Sequence, residues 1–539
     1  KKQWAPQKVI HYQNSIYGNI SIIESGGQYT FFSNSIPNII TPIPDIAFVE
    51  EFVHIPLLTH SAPKKLLILN GGAGGVINEI LKHPSVEIVE YIETDPLMIE
   101  LIKKYSTPLT EKELNDNRIK IKYIDGRIFL KSSKNKYDLI LIGLTKPVDL
   151  QTNRFFTKEF YSLTKERLYE NGILVVGLIG SMTYLNRELK NLNSCIYNTL
   201  KTIFPYVRVI PGDGVNLFIS SNSSEIFLTD KDLIFERLKE RYLKTNIIIP
   251  RHIEYKLQPK LQDWFIQFIE GGTKNINQDF KPLGVFYYIS HWNTIFSPFI
   301  QNIFYRIEKI KLPMFFLMFI MIVVVFFLII SKYKGFSNIS VSLCVGTTGF
   351  AGMIFDITLI FAFQIIFGYV LSWIGILITF FMAGAALGAF IIITRFSQIK
   401  NDFKLFISIE FFIICFSLCL PFILILFHNY MDVFRMQHFI KLLFLVISFT
   451  GGFLIGASFP IANKIYLKNK SNFSQTAGLL YGLDLFGGWL GGVIGSVVLL
   501  PILGILGTCL VVVLLKIISF IVLIVQLYYN NYNLNLSKI

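Results

Sequence analysis

Three chemically suggestive stations follow one another at the ends of apolar runs. "LLILNGGAGGVINEIL", residues 66 to 81, reads as a buried strand, a glycine-rich turn and the opening of a helix. Gly71, Gly72, Gly74 and Gly75 would let a ligand approach bare backbone, and the helix start offers N–H groups. Ala73 stands in that turn where many such turns carry a charge. The second station, "YIETD", puts Glu93 roughly 20 residues beyond the turn, where an acid can grip ribose hydroxyls. The third, "YIDGR", puts Asp125 and then Gly126 at the end of the next run, where a carboxylate can accept from an adenine amino group. A glycine turn alone is weak evidence. Three polar stations in succession point to adenosine binding.

The elements that must position these residues alternate in type. "KLLILN", "VEIVEYIE", "IKIKYI", "YDLILIG" and "GILVVGLI" read as strands, with helices expected near 75–83, 96–105 and 157–169. Such alternation predicts a mostly parallel, doubly wound α/β sheet, which binds its ligand at the carboxyl ends of its strands. "VRVIPGD" and "NLFISS" read as late strands. Upstream, residues 9 to 34 alternate apolar and polar around two turns, a small antiparallel sheet. Residues 45 to 60 have helical spacing, with Asp45 as N-cap. The expected domains are 1–44 (β-sheet), 45–250 (Rossmann-type), 251–312 (helical tail) and 313–530 (membrane helices).

The last of these follows from composition. The chain has 539 residues and is 52% hydrophobic, and beyond about residue 312 it is almost free of charge over long stretches. Seven apolar segments near 313–331, 340–366, 370–394, 403–427, 438–462, 475–500 and 503–528 are long enough to span a bilayer. In "GGWLGGVIG", Gly487, Gly491 and Gly495 recur at helix-packing spacing. The formal net charge of +14 gathers at the ends of apolar stretches, as in membrane proteins, and no nucleic-acid motif accompanies it. Only Cys195 of the five cysteines lies in the polar part, so neither a disulfide framework nor a zinc site is expected there, and no metal is expected at all. Asp356, Glu410, Asp484 and Lys516 fall within expected spans, either as a polar pathway for a cation or as an ion pair fixing helix packing, with Lys516 paired to one acid. Lys1 is not a methionine, so the chain reads as a fragment or a processed product.

The segment from "LLILNGGAGGVINEILKH" through "YIETDPLMIELIKKY", "DGRIFL", "YDLILIGLTKP" and "NRFFTKEFYSLTKERLYENGILVV" resembles the core of the spermidine synthase (polyamine aminopropyltransferase) family. The likeness covers about residues 9 to 235. The apolar half, with "YGLDLFGGWLGG", resembles the membrane region of bacterial fused spermidine synthase-like proteins. The resemblance implies a class I methyltransferase-like fold. It also implies decarboxylated S-adenosylmethionine, or ordinary S-adenosylmethionine, as ligand, with Glu93 on the ribose and Asp125 on the adenine. It implies a small amine or polyamine as acceptor, and a homodimer or other membrane subunits as partners beside the lipid bilayer.

The chain departs from the family pattern on the amine side. Ala73 replaces an Asp that would pair with the donor's propylamine and repel a carboxylate. Gly143 and Lys146 replace the acids of an Asp-x-x-Asp-Pro pattern, and Phe48-Val49 replaces a Tyr-His pair. Gln13, Glu50 and His54 remain, and Asp149 is placed to substitute for a lost acid. The expectation is a membrane-anchored aminopropyltransferase-like protein with a degenerate amine site. The alternatives are an S-adenosylmethionine-dependent methyltransferase-like enzyme and a non-catalytic ligand sensor or membrane-complex subunit. A bacterial inner membrane with the polar domain in the cytoplasm fits the family. Lys332, Lys334, Arg395, Lys400, Lys404, Lys464, Lys468 and Lys470 fall on one side and favour the opposite face.

Overall fold

A computed structural model describes residues 7–184, 186–318, 320–321, 336–368, 371–399, 401–430, 436–468 and 473–536. The chain forms two compact units, Lys1–Gln301 and Asn302–Ile539. The first opens on an antiparallel meander of β1 (Lys8–Asn14), β2 (Asn19–Ser25), β3 (Gln28–Ser33) and β4 (Ile36–Thr41). Ile20, Ile22, Phe31 and Ile39 are buried within it. Helix α1 (Ile46–Thr59) follows, its N-terminus closed by Asp45, which accepts from the Phe48 N–H as expected.

Seven strands make the second sheet: β5 (Lys65–Leu69), β6 (Ile88–Glu93), β7 (Ile119–Tyr123), β8 (Tyr137–Ile142), β9 (Leu168–Gly180), β10 (Tyr206–Ile210) and β11 (Gly214–Ser221). Their order is β10-β11-β9-β8-β5-β6-β7, and only β11 runs against the others. From β5 the chain winds outward to β6 and β7, then returns to β8 and winds the other way. The carboxyl ends of β5 and β8 therefore form the switch point where a doubly wound sheet receives its ligand. This is the expected Rossmann-like, methyltransferase-type architecture. The helices between strands are α2 (Val76–Leu81), α3 (Pro96–Lys104), α4 (Pro108–Asn115), α5 (Gly126–Ser132), α6 (Leu150–Asn153), α7 (Lys158–Glu166) and α8 (Arg187–Lys201). Helices α9 (Glu225–Leu228), α10 (Lys231–Glu240), α11 (Pro250–Lys256), α12 (Pro259–Glu270), α13 (Leu283–Phe296) and α14 (Pro298–Glu308) follow.

The second unit contains α15 (Phe336–Phe367), α16 (Leu371–Thr394), α17 (Asp402–Tyr430), α18 (Met436–Leu467), α19 (Phe473–Ile494), a π-helical stretch Gly495–Leu503 and α20 (Gly504–Leu536). Among the described residues, five helical runs are long and apolar enough to cross a membrane. The last, Ala477–Tyr528, has 52 residues and carries two of the seven expected segments. Gly504 divides it, with a φ of +73° that an L side chain rarely adopts. The first expected segment, 313–331, lies largely outside the described residues. Close backbone approach holds the helices together. A Cβ on Gly487 would stand 2.0 Å from the Gly346 carbonyl oxygen, and one on Gly491 would stand 2.7 Å from that of Phe350. A second such seam joins α16 to α18, where a Cβ on Gly384 would stand 2.1 Å from the Phe449 oxygen and one on Gly456 would stand 2.0 Å from that of Ala385.

Lys516 and Glu410 are both fully buried in this unit, and their side chains pair at 2.9 Å. Thr348 accepts from Lys516 at 2.6 Å, and Ser519 donates to Glu410 at 2.6 Å, so the pair links α15, α17 and α20. Asp356 and Asp484, on α15 and α19, are half-buried and make no ion pair among the described residues. Removing one member of a buried pair strands the other's charge. Lys516→Met is expected to cost about 3–5 kcal/mol in thermal unfolding of the solubilised protein, while Lys516→Met with Glu410→Leu recovers most of it.

Candidate functional site

The carboxyl ends of the second sheet open into a cleft of about 550 Å³. Glu93 from the end of β6, Asp125 from the turn after β7 and Asp149 from the loop after β8 all line it. Asp45, Glu51, Asp95 and Asp213 line it too, giving seven carboxylates against one lysine, Lys146. Tyr17 enters from the β1–β2 turn, and its phenol is raised above its ordinary value by burial and by Asp125 and Asp95. A wall of that charge attracts cations and repels phosphates.

The glycine-rich turn is built differently from expectation. The amides of Gly74 and Gly75 are not open to a ligand, because one of the protein's own side chains takes them. Glu113 on α4 accepts from Gly74 N–H at 2.8 Å, Gly75 N–H at 2.6 Å and Asn78 N–H at 3.1 Å. The Tyr91 ring lies against Gly72, 3.0 Å from where a Cβ would stand. Gly74 and Gly75 pack instead on Ile39 and Pro44. Ala73 is buried in the apolar cluster and is not among the residues lining the cleft. Gly126 opens α5 beneath Phe155. Asn70 and Gly143 are what the β5 and β8 ends present to the cleft. Gly71, with φ +61°, and Gly143 meet back to back, and a Cβ on Gly143 would stand 2.0 Å from the Asn70 oxygen. The glycine at 143 is therefore required by the close approach of the two strand ends.

Glu93 is held by its neighbours: Tyr91 donates to it at 2.7 Å and the Thr94 N–H at 3.0 Å. Burial pushes Glu93 up to about 7 despite those hydrogen bonds. Asp125 accepts from the Arg127 and Ile128 amides at the start of α5 and pairs with buried Arg154 at 2.9 Å. Asp149 caps α6 by accepting from the Thr152 N–H at 2.8 Å.

Of the three expected catalytic residues, Asp149 lines the cleft and two lie elsewhere. Gln13 sits exposed on β1, 3.0 Å from His11, outside the cleft lining. Glu50 is buried and accepts from the Asn246, Ile247 and Ile248 amides, which hold its carboxyl below its ordinary value despite burial. It anchors a loop and is not part of the cleft. His54 is buried against His83 and Glu79. The acid that α1 sends into the cleft is Glu51, paired with Lys256 at 2.9 Å and His252 at 2.7 Å. The spacing offered a signal. Phe48 lines the cleft, and a helix returns to the same face after three residues, at Glu51, whereas position 50 does not face it. Asp95 and Asp213 were also unassigned in the sequence.

The Spermine/spermidine synthase domain pattern matches residues 46–230. A polyamine aminopropyltransferase of Caldicellulosiruptor saccharolyticus is 33% identical over 207 residues, which is 38% of this chain and 71% of that protein. The chain belongs to the spermidine synthase family. A polyamine aminopropyltransferase of Bacillus mycoides is 36% identical over 165 residues, 31% of this chain. The chain spans 58% of that relative's length. The crystal structure of spermidine synthase from Thermotoga maritima aligns with a TM-score of 0.41 at 25% identity, covering 48% of this chain and 88% of that one. This chain carries Glu93 at the β6 end, Asp125 after β7, and Gly143 and Lys146 after β8.

Glu113 resembles Glu93 in being pushed up to about 7 by burial, against the relief given by three backbone amides. For both acids the folded-state value lies above the ordinary carboxylate value of 4.5. Folding therefore favours the protonated forms, and stability is lost as pH rises from the unfolded to the folded value. The melting temperature of the polar unit is expected to fall over that window. Glu113→Gln should remove part of the fall, and a pH-independent melting temperature would contradict the assignment.

Proposed function

We propose that the cleft binds an adenosyl sulfonium, decarboxylated S-adenosylmethionine or a close relative, and passes its three-carbon amine arm to a small amine or polyamine. Apolar helices would anchor the enzyme in a bilayer, with the polar unit on the cytoplasmic side. The observation that carries this reading is the joint placement of Glu93 and Asp125 in one acidic cleft, with the Gly74 and Gly75 amides of the glycine turn already engaged. A dinucleotide needs free amides for its pyrophosphate. A cationic sulfonium needs none and gains from the carboxylates.

In this reading Glu93 accepts from the ribose hydroxyls and the Asp125 region meets the base. The acceptor nitrogen attacks the carbon beside the sulfonium, the carbon–sulfur bond breaks, and its electron pair returns to sulfur, leaving neutral 5′-methylthioadenosine. The ammonium proton must leave to a nearby base. Gly143 cannot take it, and Asp149, in the same cleft and on the loop that follows β8, can. Positioning by the surrounding acids supplies the rest. Loss of the family's acids at 143 and 146 lowers turnover without removing the nucleoside site.

Full-length protein given decarboxylated S-adenosylmethionine and putrescine should release methylthioadenosine slowly. Asp149→Asn keeps the α6 cap and should reduce kcat about 10²-fold with donor affinity unchanged. Donor binding without any release, in the wild type, would point to the ligand-sensing alternative.

A further inference from the structure

Lys146 is the anomaly of the cleft. Of the seven carboxylates there, Glu51 is balanced by Lys256 and His252, and Asp125 by Arg154. Asp45, Glu93, Asp95, Asp149 and Asp213 have no cationic partner among the described residues. Lys146 lines the same cleft, half-buried, and pairs with none of them. Lys146 is therefore free to meet an anionic group that a ligand brings into the cleft.

Its backbone is fixed. The Thr145 carbonyl accepts from the Ile179 N–H on β9 at 3.1 Å, Pro147 is buried, and Asp149 caps α6 two residues later. The loop therefore presents Lys146 from a set position, unlike a surface lysine on a mobile turn. It belongs to β8, on the far side of the switch point from Glu93 and Asp125. A ligand seated on those two acids would direct whatever lies beyond its ribose toward Lys146.

We propose that Lys146 reads a carboxylate, so that the ligand arm at this end of the cleft is an α-amino acid: its ammonium facing the unpaired acids, its carboxylate facing the lysine. A plain diamine meets only repulsion from Lys146, whereas a zwitterion satisfies both signs. The α-amino acid could be the methionine arm of an ordinary S-adenosylmethionine donor or the end of a basic amino-acid acceptor. The inference rests on the adenosyl-donor reading above.

Both sources are tested with matched pairs that differ only by the carboxylate. The full-length protein in lipid nanodiscs is titrated calorimetrically with S-adenosylmethionine and its decarboxylated form, and then, with donor bound, with ornithine and putrescine. In at least one pair the carboxylated member should bind about tenfold more tightly. Lys146→Met should cancel that preference and Lys146→Glu should reverse it, while affinity for the decarboxylated member is kept or raised. Retained affinity separates a lost recognition group from a misfolded loop. If the decarboxylated member of both pairs is preferred and Lys146→Glu leaves the ratio unchanged, Lys146 has no such role and the donor reading stands. If neither donor binds the wild type, the donor reading falls and this inference falls with it.

Discussion

Backbone crowding at the switch point shapes the whole cleft. The chains leaving β5 and β8 meet at Gly71 and Gly143 with no room for a Cβ between Gly143 and the Asn70 oxygen. That contact fixes where the two strand ends diverge, and so where Glu93 and Asp125 stand on one side and Lys146 and Asp149 on the other. Asn70 adopts a left-handed φ of +60° to make the turn, a conformation that asparagine tolerates better than most residues. The absence of an acid at 143 is part of this geometry, and an aspartate could return only with movement of the β5 turn.

Charge then decides what the cleft accepts. The glycine turn of a dinucleotide site leaves its amides open for phosphate. Here Glu113 occupies those of Gly74 and Gly75, which turns an anion-binding feature into a structural clamp and leaves a surface dominated by carboxylates. The same glycine pattern thus supports opposite ligand preferences. A residue some forty positions away selects between them, and the motif itself does not.

That separation explains what could be read from the sequence. Glu93 and Asp125 were legible because each follows a strand, and strand ends in a parallel sheet converge by topology; Asp149 was suggested only by its closeness in sequence to Gly143 and Lys146. The Asp45 cap and the order of strands and helices were legible from periodicity. The Glu113 clamp was not, because it joins α4 to α2 through a tertiary contact with no local signature. Glu50 and Glu51 are adjacent and alike in type; one turns to a loop's amides and the other to the cleft, and only the helix phase set by Phe48 separates them. In the apolar half, the "GGWLGGVIG" seam was visible as a four-residue repeat. Its counterpart between α16 and α18 depends on two distant segments meeting, Gly384 and Gly388 against Gly452 and Gly456. The pairing of Lys516 with Glu410, and not with Asp356 or Asp484, likewise depends on which helices are neighbours.

The central claim is that a carboxylate-lined adenosine site recognises a positive sulfur, and one comparison isolates that charge. Binding of S-adenosylmethionine forms to the full-length protein is measured against binding of uncharged 5′-methylthioadenosine as salt is raised. The account predicts that the sulfonium binds more tightly at low salt and that its advantage shrinks as ions screen the acids. Equal affinities for the charged and uncharged ligands at every salt concentration would contradict it.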